Sequence, residues 1–336
     1  MKFSLLIWFG SVSILATAQQ DSLGIVMTKK ITKTFDAVGR KKLSIDNAYG
    51  DVEVRTWNRK NVLINITVIA TAKTSTDAKN LLTRIVIVEG QSDNAITCRT
   101  NIGGTDSLPA KIKPQPVNEK CTINYIIYMP GTLALKIKNQ FGNIKMGDYP
   151  GGLEINESFG DFTAGILSTA TLTAALGSIH IKKIFEGEVR GKGFGFIKID
   201  TIAGNVGCGL SAGKMLDIGF INGHYNFMLK SDNIGLVNVR LPKNFGANIT
   251  ATGVFSTFEN KSSFTLNTIQ PSKPSRPKDI STIKPPIADT SKIKLFDKKK
   301  LELNFLKKTT EYKGTAGDGG AVLTIGVSFS KVTLTN

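Results

Sequence analysis

The chain has 336 residues, 41% of them apolar, and 43 Lys and Arg against 26 Asp and Glu give a formal net charge of +17. That apolar share supports a packed core and excludes a disordered polyelectrolyte. Two His and three dispersed Cys form no ligand cluster for a metal centre, and beyond the first residues no run approaches the roughly 18 apolar residues of a spanning helix.

Lys2, the apolar run Phe3 to Leu15 and the small-residue end Ala16-Thr17-Ala18 have the form of a secretory signal peptide over residues 1–18. The expected location is therefore outside the cytoplasm: periplasm, outer-membrane surface or extracellular. No Cys follows Ala18, which argues against lipid attachment. Residues 19–40 form a lead-in. Residues 41–131 then read as a small antiparallel β region with one short helix. Leu43-Ser44-Ile45 and Val52-Glu53-Val54 flank a turn, and Val62 to Val68 and Ile123 to Met129 alternate as strands. Thr74-x-x-Asp77 predicts a capped helix over about 75 to 84, with Ala78, Leu81 and Leu82 on one face. Gly103 to Glu119 carries three prolines and reads as a loop.

Cys98 and Cys121 share alternation phase with the apolar residues of their strands. In an oxidising compartment they are expected to pair as a disulfide, with two buried thiols as the alternative. Cys208 is left as a small core residue.

From residue 132 to 266 a repeat takes over. Phe141-Gly142-Asn143-Ile144 is echoed by Phe159-Gly160-Asp161-Phe162, Leu176-Gly177-Ser178-Ile179 and Phe194-Gly195-Phe196-Ile197. The glycines Gly142, Gly160, Gly177, Gly195 and Gly213 recur every 17 or 18 residues; Gly235 follows after 22 and Gly253 after 18, and Gly50 stands in the same local pattern. A fixed period with alternating residues after each glycine predicts an all-β parallel β-helix or roll, a solenoid of coils of about 18 residues. The expected role of each glycine is the positive φ of a tight corner. An ordinary antiparallel sandwich is the competing architecture.

Residues 267–310 break the pattern, with five prolines and, over 270–310, eleven Lys or Arg against four Asp or Glu. They read as a basic insertion, and Lys292, Lys294, Lys298, Lys299 and Lys300 are its candidate contacts for an anionic ligand. Residues 311–336 return as a terminal β coil expected to cap the stack.

The stretch Leu43-Ser44-Ile45-Asp46-Asn47-Ala48-Tyr49-Gly50-Asp51-Val52-Glu53-Val54-Arg55-Thr56-Trp57 resembles the opening of the bacterial putative-adhesin β-strand-repeat family. Tyr125 to Pro130 is similar to its Tyr-containing strand, and Gly317 to Leu323 to its Gly-rich last coil. The resemblance covers most of residues 40–260 and 311–336, while the basic insertion departs from it. It implies an extracytoplasmic β-helical domain and brings no catalytic residues.

Other motifs carry less chemistry. Gly209-Leu210-Ser211-Ala212-Gly213 matches a hydrolase elbow, but no helical pattern follows Ser211. Gly191-Lys192-Gly193-Phe194-Gly195 lacks the last glycine of a phosphate loop. His180 is expected to face solvent and His224 to sit in a turn. Glu186, Glu188, Asp200, Asp217 and Asp232 are candidate acids of a carbohydrate-active β-helix enzyme, the alternative function.

The leading expectation is a non-enzymatic envelope or surface protein, an adhesin or scaffold, without cofactor. Its partners would be anionic polysaccharide, lipopolysaccharide or an envelope protein; no nucleic acid is expected after export.

Overall fold

A computed structural model describes residues 12–15, 20–21, 24–103, 119–269, 309–317 and 319–336. The chain is all-β with one helix among these residues. Strands Gly24–Asp36, Asn61–Ala72 and Glu119–Pro130 form an antiparallel sheet at the N-terminal end. Within residues 1–18 only Val12–Leu15 is described, as a strand antiparallel to Thr28–Ile31. Helix Ser75–Arg84 follows the predicted cap: the Thr74 side chain accepts from Asp77 N–H, and Ala78, Leu81 and Leu82 are buried. Thr74→Ala is expected to lower stability by about 1 kcal/mol, read as a shift of the urea midpoint without a change of slope.

From Lys42–Ala48 to Ala247–Asn260 the pairing between successive coils is parallel. Every coil passes through two ladders joined at a corner. In the first, the inward column runs Cys98, Ile45, Ile137, Ile155, Leu172, Val189, Cys208, Leu229, Ile325 and Ala251, all buried. In the second, Val52, Ile144, Phe162, Ile179, Ile197, Leu216, Val237 and Val332 repeat the arrangement. One coil cannot cover its own inward side chains, so each contributes a few of them to a shared core, at roughly 1.5–3 kcal/mol per large aliphatic buried.

The corners explain the repeated glycines, and they correct the expected reason for them. Positive φ falls on the residue before the glycine: 63° at Tyr49, 58° at Phe141, 63° at Phe159 and 56° at Leu176. The glycines are required by contact between coils. A Cβ at Gly50, Gly142, Gly160 or Gly177 would lie 2.2, 2.1, 1.9 or 1.8 Å from the carbonyl oxygen of Ile123, Gly50, Gly142 or Gly160. A side chain in the left-handed region costs about 1–2 kcal/mol. Tyr49 stacks on Phe141 at 5.2 Å and Phe141 on Phe159 at 4.7 Å, and such pairs return about 0.5–1.5 kcal/mol each. The residue after each glycine closes the corner: Asn143 N–H donates to Asp51, Asp161 N–H to Asn143 and Ser178 N–H to Asp161, at 2.7, 3.0 and 2.8 Å.

Gly195, Gly213 and Gly235 belong to wider corners. There positive φ sits at Gly193, Ala212 and Asn233, and the residue of the second-ladder column, Ile197, Leu216 or Val237, comes four positions later instead of three. The extra residue turns inward as buried Phe194 and Ile234. Between them Gly213 leaves room for the Phe194 ring, 2.1 Å from where its Cβ would stand. Gly253 lies in strand Ala247–Val254, ahead of the corner residue Phe255.

Two further expectations are corrected. The coil Ala321–Thr335 does not cap the stack. It lies between the coils of Asn226–Arg240 and Ala247–Asn260, paired in parallel to both. The cap on the first ladder is Thr309–Ala316, antiparallel to Ala247–Val254, with Tyr312 packed 4.8 Å from Phe258. The Cys98–Cys121 bridge is not formed. Cys98 opposes Ile45 in the first ladder and hydrogen-bonds Tyr125, whereas Cys121 lies opposite Ala70 in the antiparallel sheet. Burial pushes the Cys98 thiol up to about 12, and both cysteine side chains lie in the core. Cys208 is buried in the first ladder as expected.

Candidate functional site

The candidate acids of an enzyme do not share one wall. Glu186 and Glu188 project from the first ladder, Asp200 and Asp217 from the second, and Asp232 lies near the joining corner. Several are held by bases. Glu188 meets Arg190 at 2.8 Å, Asp217 meets Arg240 at 2.8 Å, and Asp200 meets Lys198 at 3.1 Å and His180 at 3.2 Å. Partial burial pushes the Asp200 carboxyl up, but the hydrogen bonds from Lys198 and His180 outweigh it and keep the group below its ordinary value. Elsewhere Glu154 bridges Lys136 at 2.6 Å and Lys42 at 3.4 Å, and Lys136 holds its carboxyl low. Ser211 lies in the extended run Val206–Phe220 with no helix after it, so the elbow geometry is missing. The five insertion lysines, Lys292 to Lys300, lie outside the described residues.

Positive charge also gathers at the edge opposite the glycine corner. A cleft of about 690 Å³ opens where the first coil meets the N-terminal sheet, lined by Arg40, Arg59 and Lys60 and by no acidic side chain. Its apolar wall is Val38, Pro130, Leu133 and Pro150. Local structure fixes each part. The turn after Asp36 closes through Val38 N–H to the Asp36 carboxylate at 2.9 Å and Arg40 N–H to Ala37 O at 3.1 Å. Ala37 N–H donates to Lys60 O at 3.0 Å, which couples this turn to the one after Trp57. Trp57 pairs with Pro130 at the end of its strand, donates Nε1–H to Asn61 O at 2.8 Å, and carries the Arg59 guanidinium 4.9 Å from its ring centre.

Arg40 is the most enclosed cation of the three. Its side chain is 21% exposed, and Nη1 donates to Ser92 O and lies 3.9 Å from the fully exposed Asp93. Its Nε is buried and has no hydrogen-bond partner among the described residues. Sequence reasoning missed this cleft because its cations come from two turns 19 positions apart, brought together by the antiparallel pairing of Gly24–Asp36 with Asn61–Ala72. The local signal was Trp57-Asn58-Arg59-Lys60, an aromatic and two bases in one turn.

No family model and no curated protein matches this chain. Among solved structures, it is similar to a putative cell adhesion protein from Clostridium sporogenes, at 12% identity and a TM-score of 0.22 over 92% of this chain and 99% of that one. It is also similar to a putative adhesin from Bacteroides fragilis, at 11% and 0.28 over 91% and 96%. A third is a putative lipid binding protein from Parabacteroides distasonis, at 12% and 0.24 over 63% and 90%. Superpositions this loose transfer no residue roles.

Proposed function

We propose that this chain is a non-enzymatic, exported surface or envelope protein, an adhesin or scaffold, that contacts anionic glycan through its basic surface. In this reading the two parallel ladders close into a β-helical solenoid, a rigid post whose outward positions are free for contact. The observation that carries the proposal is the distribution of charge: Glu53, Glu154, Glu188 and Asp217 on the ladders are tied to neighbouring bases, while the cleft of Arg40, Arg59 and Lys60 has no acid in its lining. Excess positive charge attracts anionic polymers, and the attraction is screened over about 10 Å at 0.1 M salt.

The test is retention of the chain on immobilised anionic polysaccharide and on anionic vesicles through a salt series, with and without residues 270–308. Retention on the polysaccharide that falls steeply with salt is the expected result. Absence of retention on either support at low salt would remove the reading and favour a role as a structural partner within a protein assembly.

A further inference from the structure

We infer that the cleft between the turns at 37–40 and 58–60 is a defined binding site for a single acidic sugar unit, with Arg40 as its anchoring donor. The inference rests on the surface-contact reading above and sharpens it from a diffuse basic surface to one pocket. Four observations converge. First, the cleft, about 690 Å³, has the size of pockets that enclose one or two sugar rings. Second, Arg40 presents a buried Nε–H with no acceptor among the described residues, although its Nη1 is already pinned by Ser92 O. The bond to Ser92 O fixes the guanidinium plane at the cleft wall, and a planar fork of N–H groups matches the two oxygens of a carboxylate or phosphate.

Third, the second cation is positioned in advance. Arg59 rests against the Trp57 ring, and the indole is itself fixed by its bond to Asn61 O. Little side-chain freedom is then lost when an anion arrives, which favours affinity. Fourth, the same cleft carries apolar surface, with Val38 61% exposed and Pro130 and Pro150 in the lining. Such a surface suits the C–H face of a pyranose and is poorly suited to a bare inorganic ion. The shared ligand chemistry is one anionic group on a compact ring, either a uronate or a phosphorylated sugar.

Trp57 supplies the readout. The only other tryptophan is Trp8, so in the full chain carrying Trp8→Phe the indole emission reports the cleft alone. The probes are tetragalacturonate, glucose 6-phosphate and, as the neutral control, maltotetraose. A saturable emission change with at least one anionic probe and none with maltotetraose is expected, and the tighter anion identifies the source. Arg40→Gln should weaken that binding roughly 10-fold or more, and Arg40→Lys should fail to restore it, because lysine keeps the charge and loses the fork. Arg59→Gln, at the rim, is the second variant should Arg40→Gln melt early, and it too should weaken binding.

An equal response to maltotetraose, or anion binding unchanged in Arg40→Gln and Arg59→Gln, would overturn the inference. So would the lack of any saturable response in a chain still retained on the polysaccharide column, and the broader reading would then stand. Loss of both column retention and emission response would remove the two together.

Discussion

Gly160→Ala is expected to unseat the stack, lowering stability by about 4 kcal/mol or more, at the far end of what single substitutions do. The added Cβ would stand 1.9 Å from the carbonyl oxygen of Gly142, in the coil below. Neither partner can step aside. Both belong to backbone fixed by ladder bonds on each side of the corner, and Gly142 is itself pressed against Gly50 O. Gly147→Ala is the matched control. Nothing lies within 4 Å of its added methyl and its φ is not positive, so a change within about 0.5 kcal/mol is expected. Urea unfolding of the two variants beside the parent decides the matter. Similar losses in both would show that contact between corners is not what selects glycine.

Glu157→Asn is expected to stabilise the protein, and by an amount that grows with pH. Asn47, Asn139 and Glu157 occupy one register position in successive coils. Asn47 donates to Gly50 O at 3.2 Å and to Asn139 Oδ1 at 3.1 Å, and Asn139 donates to Gly142 O at 2.8 Å. Glu157 ends this ladder 2% exposed, with one carboxyl oxygen lacking a partner among the described residues. Burial pushes its carboxyl up to about 8, against the hydrogen bonds from Asn139 and Ser158 N–H, and Asp161 and Asp51 push the same way as burial.

With a folded value above the ordinary 4.5, the unfolded chain releases this proton first as pH rises. Stability therefore falls between about pH 4.5 and 8, at about 1.4 kcal/mol per pH unit, and is flat on either side. An asparagine there would extend the ladder to Gly160 O without a charge to bury. The variant should gain roughly 3 kcal/mol over the parent at pH 7 and little at pH 4. Denaturant curves at the two pH values test this, and a gap independent of pH would show that the carboxyl is not the source.

The period, the strand alternation and the capped helix were legible because each rests on neighbours in the chain: Thr74 with Asp77, Ile179 with Ile181. The glycine spacing was visible for the same reason, but its cause was not. It lies in a carbonyl one coil away, and nothing local separates a glycine that bends the backbone from one that makes room for another. The wide corners at Phe194 and Ile234 were hidden too, since an inserted residue disturbs the period by a single position and only stacking shows that it fills the core. Cys98 and Cys121 share an inward phase, yet phase does not say which ladder a strand joins. The order of the last coils and the Arg40–Lys60 cleft are likewise products of long-range pairing.

The place of residues 321–335 between two earlier coils bears on how the molecule is made. From Ala134–Gln140, which is laid on Lys42–Ala48, a growing chain can lay each rung on an earlier one as far as Asn226–Arg240, and there the sequence of assembly must pause. Ala247–Val254 cannot settle on its upstream neighbour, because the strand that separates them has yet to be synthesised. The rung at 247–260 is thus held back until Ala321–Thr335 arrives and slides in, satisfying the open backbone of both sides in one step. A chain interrupted before residue 321 would keep two parallel edges bare, and unpaired edges of that kind invite pairing with other chains. Placing a late segment inside the stack makes the completed sheet a record that translation ran past it.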